Sequence, residues 1–185
     1  MKKITSIIAI MAFTAVFSTS ALAQQNASAT TALVTATIVK PITISKTGDL
    51  TFGSFATTSA TGTLTVGING GRSKTGGVTL TSNNVLGTAA AFTVGGEAGY
   101  SYAISIPTSL ELATTTAATG TGTTLSSQTM IVNSLLTSLA DGARVGLLTD
   151  GTQSFTIGGT LNVNAYQSVG AYTSAAGLTV TVNYN

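Results

Sequence analysis

Apolar and polar residues alternate one by one along most of this chain. In residues 63–69 (TLTVGIN), Leu64, Val66 and Ile68 share one face, and the threonines and the asparagine share the other. The same period of two recurs in Val78/Leu80, Phe92/Val94, Tyr100/Tyr102/Ile104/Ile106, Phe155/Ile157, Leu161/Val163/Ala165 and Leu178/Val180/Val182/Tyr184. Because successive side chains of a strand point to opposite faces, each run predicts a half-buried strand with a threonine-rich, solvent-facing side.

Turn signals lie between these runs, at Asn69-Gly70-Gly71, Gly76-Gly77, Gly95-Gly96, Asp141-Gly142 and Asp150-Gly151. Asn-Gly and Asp-Gly pairs tolerate the positive φ angles of tight hairpin turns. Short strands, frequent turns and no convincing helix predict an all-β protein built as an antiparallel sandwich.

Two segments interrupt this regular pattern. Residues 130–139 could also place their apolar side chains on one helical face, but Asn133, Ser134 and Thr137 are poor helix formers. We therefore predict a strand with an irregular continuation there. Residues 108–127 are rich in Thr, Ala and Gly and predict a long loop or a weak edge strand.

Residues 1–23 (MKKITSIIAIMAFTAVFSTSALA) predict a cleaved signal peptide. They contain two lysines, a mostly apolar stretch and a small-x-small site at Ala21-Leu22-Ala23. The apolar stretch is shorter than the roughly 20 residues of a membrane span, although an uncleaved anchor is the alternative. We expect export, with passage through the periplasm to the cell surface or beyond, and no membrane span in the mature chain. The mature chain divides into a flexible arm at 24–32 and one domain at 33–185.

Composition narrows the chemistry. Only 6% of residues are charged, 37 are Thr, and the chain has no His, Cys or Trp, which excludes disulfides and thiolate, imidazole or haem sites. Without the two leader lysines, the mature chain has five basic and five acidic residues and is neutral. A neutral, charge-poor chain has no electrostatic footprint for nucleic acid.

The apparent catalytic motifs have simpler explanations. Residues 70–77 (GGRSKTGG) lack the Gly directly before Lys that a phosphate-binding loop needs, and a strand follows instead of a helix. Asp141 and Asp150 each precede Gly, so a turn explains both better than a Ca²⁺ site or a glycosidase pair. The five tyrosines are typical of sandwich ends, although such rings also stack on sugars. We predict no enzyme activity, no cofactor and no metal.

Four stretches carry a resemblance to a known family: ATIVKPITI (36–44) continuing to LTFG (50–53), AFTV (91–94) with GEAGY (96–100), FTIGGTL (155–161), and GAY (170–172) through TVTVNY (179–184). Together they resemble a bacterial secreted family catalogued as domain of unknown function 4402. The last two are also similar to the spore-coat-protein-U type of pilus subunit, although this chain lacks the cysteines usual in that group. The resemblance implies an immunoglobulin-like sandwich. By analogy with those pilins, it implies a surface filament or coat subunit assembled by a periplasmic chaperone and an outer-membrane usher.

Two functional hypotheses follow from the residues and the resemblance. The first is a structural subunit that self-associates into filaments by donating its N-terminal strand to a neighbour. The inserting face of that strand is formed by Ala32, Val34, Ala36 and Ile38. The other register would present Leu33, Thr35, Thr37 and Val39, and a strand that completes its own sandwich is the alternative to donation. The second hypothesis is a monomeric secreted binding module for glycans, with tyrosine-rich loops as its site.

Overall fold

The computed structural model describes residues 28–81, 86–114 and 128–185. The predicted leader and the first four residues of the predicted arm lie outside this part of the chain. Two compact units are present, Met1–Thr37 and Ile38–Asn185. Described residues 28–37 of the first unit contain no strand, and every strand described below belongs to the second.

The second unit is built from strands joined by turns and loops. Its described strands are β1 (Thr43–Gly48), β2 (Phe55–Val66), β3 (Arg72–Leu80), β4 (Ala90–Gly95), β5 (Ser101–Ser105), β6 (Leu110–Ala113), β7 (Thr129–Thr137), β8 (Val145–Leu147), β9 (Thr152–Val163) and β10 (Thr181–Tyr184). A short 3₁₀ turn lies at Ala140–Gly142, between β7 and β8.

The strands form two sheets in which every pairing is antiparallel. The larger sheet has the order β1-β4-β9-β2-β3, with β7 also paired to β9 and β6 to β7, whereas the smaller sheet has the order β10-β5-β8. Strand β9 joins the parts of the larger sheet, because its first half pairs with β4 and its second half with β2. The predicted all-β sandwich is confirmed.

The core follows the predicted period of two. Leu64, Val66, Phe92 and Val94 of the larger sheet are at most 6% exposed, and Val182 of the smaller sheet is 8% exposed. The rings of Phe92 and Phe155 stack with centroids 5.6 Å apart. Since the intervening residues are mostly threonines, the alternation by itself assigned these inward faces correctly.

Threonine hydroxyls pair across neighbouring strands. Thr63 and Thr75 have their Oγ1 atoms 2.7 Å apart, and Thr65 and Thr160 have theirs 2.9 Å apart. Such cross-strand pairs add to sheet stability while the branched β-carbons fit the pleat. The high threonine content therefore has a structural role on the sheets.

One predicted turn was wrong. Gly76-Gly77 lies inside β3, and the predicted hairpin turn is made by the earlier Asn69-Gly70-Gly71 signal alone. The two glycines serve a bulge instead, because β2 carries extra residues between Thr57 and Gly62. A Cβ on Gly77 would overlap the carbonyl oxygen of Ala60, and Gly76 has a φ of +56°. These two glycines are therefore explained by the close approach of neighbouring backbones at a bulge and not by a turn.

The irregular segment predicted at residues 130–139 is confirmed as strand β7. Its pairing with β9 shifts register between Asn133 and Leu136, and Ser134 takes a φ of 50°. Residues 108–127, predicted as a long loop or a weak edge strand, include the short edge strand β6, which pairs with β7 alone among the described strands. Residues 115–127 lie outside the described chain. The Asp150-Gly151 turn is also confirmed, with Gly151 at a φ of +76°.

Tyr102 provides a test of stability against pH. Its side chain is fully buried, its hydroxyl donates a 2.8 Å hydrogen bond to Gln153 Oε1, and burial raises the pKa of Tyr102 above its usual value. In the unfolded chain this phenol ionises near pH 10. Its stabilising contribution is therefore complete below about pH 10 and is lost as pH rises through the folded-state pKa.

We expect Tyr102→Phe to lower stability near pH 8 by about 0.5–1.5 kcal/mol, because one hydrogen bond is lost. The deficit should shrink or reverse as pH rises beyond about 10, since phenylalanine does not ionise. Urea unfolding of both proteins from pH 8 to 11 measures the difference. A constant difference across that range would contradict the assignment.

Candidate functional site

Residues 28–39, here called the arm, comprise the described part of the predicted arm (28–32) and the residues that follow it. They carry the predicted interface and contain no strand. All four predicted interface residues are exposed, with Val34 at 89% and Ile38 at 97%. In the alternative register Leu33 is 91% exposed, Thr35 and Thr37 are exposed, and Val39 is half-buried. The structure therefore places both faces of the arm in solvent and does not choose between them.

This exposure is unfavourable for an isolated chain. Leu33, Val34 and Ile38 each leave large apolar surfaces in water, whereas burying such a side chain is worth about 1.5–3 kcal/mol. Single exposed apolar residues are ordinary on protein surfaces. Three within six residues make an apolar segment that is suited to contact with a partner. The arm is thus the described segment that gains most from an apolar partner surface.

The chain directly after the arm is fixed by a three-residue cluster, here called the latch, formed by Lys40, Glu97 and Tyr184. The hydroxyl of Tyr184 donates to the carbonyl oxygen of Lys40 and accepts from the backbone N–H of Glu97, both at 2.7 Å. The N–H of Lys40 donates to Glu97 Oε2 at 2.9 Å. The latch joins residues 144 positions apart and holds Lys40, the residue that follows the arm.

Sequence reasoning missed the latch. The alternation places Tyr184 on the inward face of the last strand, and Glu97 lies within a stretch of family resemblance. Gly96 is the one local signal, because a Cβ there would overlap the Tyr184 hydroxyl. Glycine at this position leaves room for the tyrosine oxygen, but the sequence does not show which distant group occupies that space.

Tyr184→Phe is expected to remove both hydrogen bonds of the hydroxyl while keeping the ring packed edge-on to Tyr100 at 5.7 Å. The loss of two bonds should lower the free energy of unfolding by about 1–3 kcal/mol. It should also speed amide hydrogen exchange at Glu97. Unchanged exchange there would show that the latch does not hold in solution.

A second feature is a groove of about 970 Å³ in the Ile38–Asn185 unit. The buried side chains of Met130, Val132 and Leu161 contribute to its floor. Its walls come from residues 49–57, from β6, and from residues 167–178, which lead towards β10. A smaller cavity of about 380 Å³ lies beside Ile68 and Leu136.

Two polar side chains at the groove, those of Gln167 and Tyr172, hold its wall in place. Gln167 donates from Nε2 to the carbonyl oxygen of Thr129 at 3.1 Å and to the Tyr172 hydroxyl at 3.0 Å. That hydroxyl donates in turn to the carbonyl oxygen of Ser168 at 2.7 Å. These contacts position residues 167–172 as a rim beside the apolar floor.

The remaining predicted chemistry is dispersed. In the part of the chain that the structure describes, no three His, Cys, Asp or Glu residues come together as a metal site would require. The same residues include no helix long and apolar enough to cross a membrane. Tyr100 and Tyr166 are 42% and 49% exposed, whereas Tyr102 is buried. The tyrosines thus divide between packing and surface positions.

Comparison with known proteins gives one match. The family model described as Domain of unknown function (DUF4402) matches residues 42–184. No curated protein and no solved structure matches the chain. The matched range begins just before β1 and ends at the last residue of β10, so it contains every described strand and begins after the arm.

Proposed function

The chain belongs to the family Domain of unknown function (DUF4402), and on that premise we propose that it is a non-enzymatic structural subunit of a bacterial surface filament or coat. The observation that supports this proposal is the exposure of Leu33, Val34 and Ile38 in the arm, which is 89–97%. The buried core is formed by residues from Phe52 onwards and includes none of these three side chains. A subunit with such an arm has an apolar segment to give to a neighbour.

The free-energy gains and costs of association are compatible with this assembly. Burying Val34 and Ile38 is worth about 1.5–3 kcal/mol each, and each backbone hydrogen bond of an added strand contributes about 0.5–1.5 kcal/mol. These gains are opposed by about 4–15 kcal/mol for the lost freedom of two molecules. Stable polymerisation therefore requires several ladder bonds and a groove that is otherwise in contact with water.

Export belongs to the same proposal. The sequence pattern of residues 1–23 supports cleavage before Gln24, which would leave the arm at or near the new N-terminus. A periplasmic chaperone and an outer-membrane usher are the partners that such a subunit would need. Their role would be to cover the exposed apolar segments until a second subunit replaces them.

A monomeric glycan-binding module has less support from the described residues. Sugar sites need exposed aromatic rings beside available polar groups. The hydroxyls of Tyr172 and Tyr184 are occupied by protein contacts, and Tyr102 is buried. The exposed rings of Tyr100 and Tyr166 are the described tyrosines that remain for such a site.

Electron microscopy of expressing cells, with and without this protein, tests the proposal directly. We expect filaments or a coat only on cells that make the protein. N-terminal sequencing of the surface material should begin within two residues of Gln24. A bare surface with monomeric protein in the medium, or retention of Lys2 and Lys3 in the exported form, would contradict the proposal.

A further inference from the structure

The groove marks the place where the core is incompletely covered. Of the eleven half-buried hydrophobic residues that pack against the core in the described chain, six line this groove: Leu50, Phe55, Leu110, Leu112, Tyr172 and Leu178. They surround a floor that is itself nearly free of solvent exposure. Additional apolar side chains placed here would remove the remaining exposed surface from water, which is a favourable change.

An unpaired backbone edge lies beside this opening. Strand β10 pairs with β5 alone, so its other edge has no strand partner among the described residues. The backbone of residues 177–180, which leads into β10, makes no backbone hydrogen bond within the described ranges. Gly177 and Leu178 also line the groove. A free edge next to an apolar opening is the arrangement that an added strand can use.

We propose that the groove accepts residues 32–38 of a second copy of this chain, laid as an added strand along residues 177–184. The inference rests on the proposed function and names the acceptor that it requires. Seven extended residues span about 23 Å, which is close to the roughly 26 Å of the eight-residue acceptor edge. With the predicted register, Val34 and Ile38 point towards the floor and Thr35 and Thr37 point outward.

Charge also favours this occupant. Residues 24–39 contain no charged side chain. The charged residue lining the groove is Asp49, and Lys46 Nζ lies 2.6 Å from its Oδ1 atom. The arm can therefore enter without burying an unpaired charge. A small polar ligand fits less well, since Gln167 and Tyr172 already use their polar atoms to hold the groove wall.

Engineered disulfides provide a clean test because the natural chain has no cysteine. One copy carries Val34→Cys in the arm, and a differently tagged copy carries Ser174→Cys or Ser54→Cys on the groove walls. Both are expressed together from the full sequence and mildly oxidised. The matched control places Ser73→Cys on β3, where the side chain is exposed and outside the groove.

We expect a disulfide between differently tagged copies for at least one groove position and none for Ser73→Cys, since bridging needs Cα atoms within about 7 Å. Each copy carries a single cysteine, so no disulfide can form within one copy. Filaments without a groove crosslink, or with equal crosslinking at Ser73, would overturn the acceptor assignment and leave the proposed function standing. Absence of both filaments and crosslinks would overturn both.

Discussion

Val182→Asp is expected to abolish accumulation of folded protein. Val182 is 8% exposed, pairs with Ile104 across the smaller sheet, and is the most deeply buried residue of β10. The substitution removes about 1.5–3 kcal/mol of apolar burial and places a carboxylate in the core without a partner. An unpaired buried ion costs several kcal/mol more, so the combined loss takes most or all of a domain stability near the low end of the usual range of about 5–15 kcal/mol.

The neighbouring Thr181→Asp is the matched control. Thr181 is exposed on the opposite face of the same strand, so its substitution should change stability by about 0.5 kcal/mol or less. Soluble yield, circular dichroism and thermal melting of both variants measure the contrast. Equal tolerance of the two substitutions would mean that the faces of β10 are reversed in solution.

The faces of residues 178–184, whose last four residues form β10, illustrate what the sequence could predict. Leu178, Val180, Val182 and Tyr184 are all half-buried or buried, and Thr179, Thr181 and Asn183 are exposed, as the alternation predicts. Alternation with a period of two indicates which side of a strand faces the core, and it can be recognised from neighbouring residues alone. Fold class followed from the same rule, because repeated half-buried strands require a second sheet to cover them.

Pairing between distant strands was beyond the reach of local patterns. Residues 155–157 and 161–163 looked like two separate runs, yet β9 continues through Gly158-Gly159. A Cβ on Gly158 would overlap the carbonyl oxygen of Val66, so glycine there allows close approach between backbones. A glycine pair occurs both in turns and inside crowded strands such as β9. Only the backbone that lies next to the pair distinguishes the two.

The candidate site shows the same limit more sharply. The alternation in residues 33–39 predicts a strand, but these residues form none in the structure. A strand needs a partner for its backbone groups as well as a pattern, and the described arm has no ladder of its own. The latch was missed for a related reason, since its three residues lie far apart in the chain.

Val34→Asp should leave the domain folded and prevent filament formation. Val34 is 89% exposed, so a carboxylate there remains solvated and should shift stability by about 0.5 kcal/mol or less. Inside an apolar groove the same carboxylate would be buried without a partner, which opposes assembly strongly. The expected effect is therefore large on polymerisation and small on folding.

Leu33→Asp is the control that tests which face of the arm enters the groove. Leu33 is 91% exposed, so both variants begin from nearly equal exposure and should fold equally well. Only one face of an added strand can enter a groove, because a one-residue shift turns every side chain to the opposite side. With the predicted face, Leu33→Asp should still assemble. Assembly by Val34→Asp and failure by Leu33→Asp would instead select the other register.

The most direct test of strand donation measures melting temperature and filament formation on one purified sample of the Val34→Asp protein. We predict a melting temperature within a few degrees of the natural protein's, together with a complete loss of filaments by electron microscopy. An unfolded monomer would show that the arm is needed within its own domain. Filaments persisting in both Val34→Asp and Leu33→Asp would show that the arm does not join the subunits.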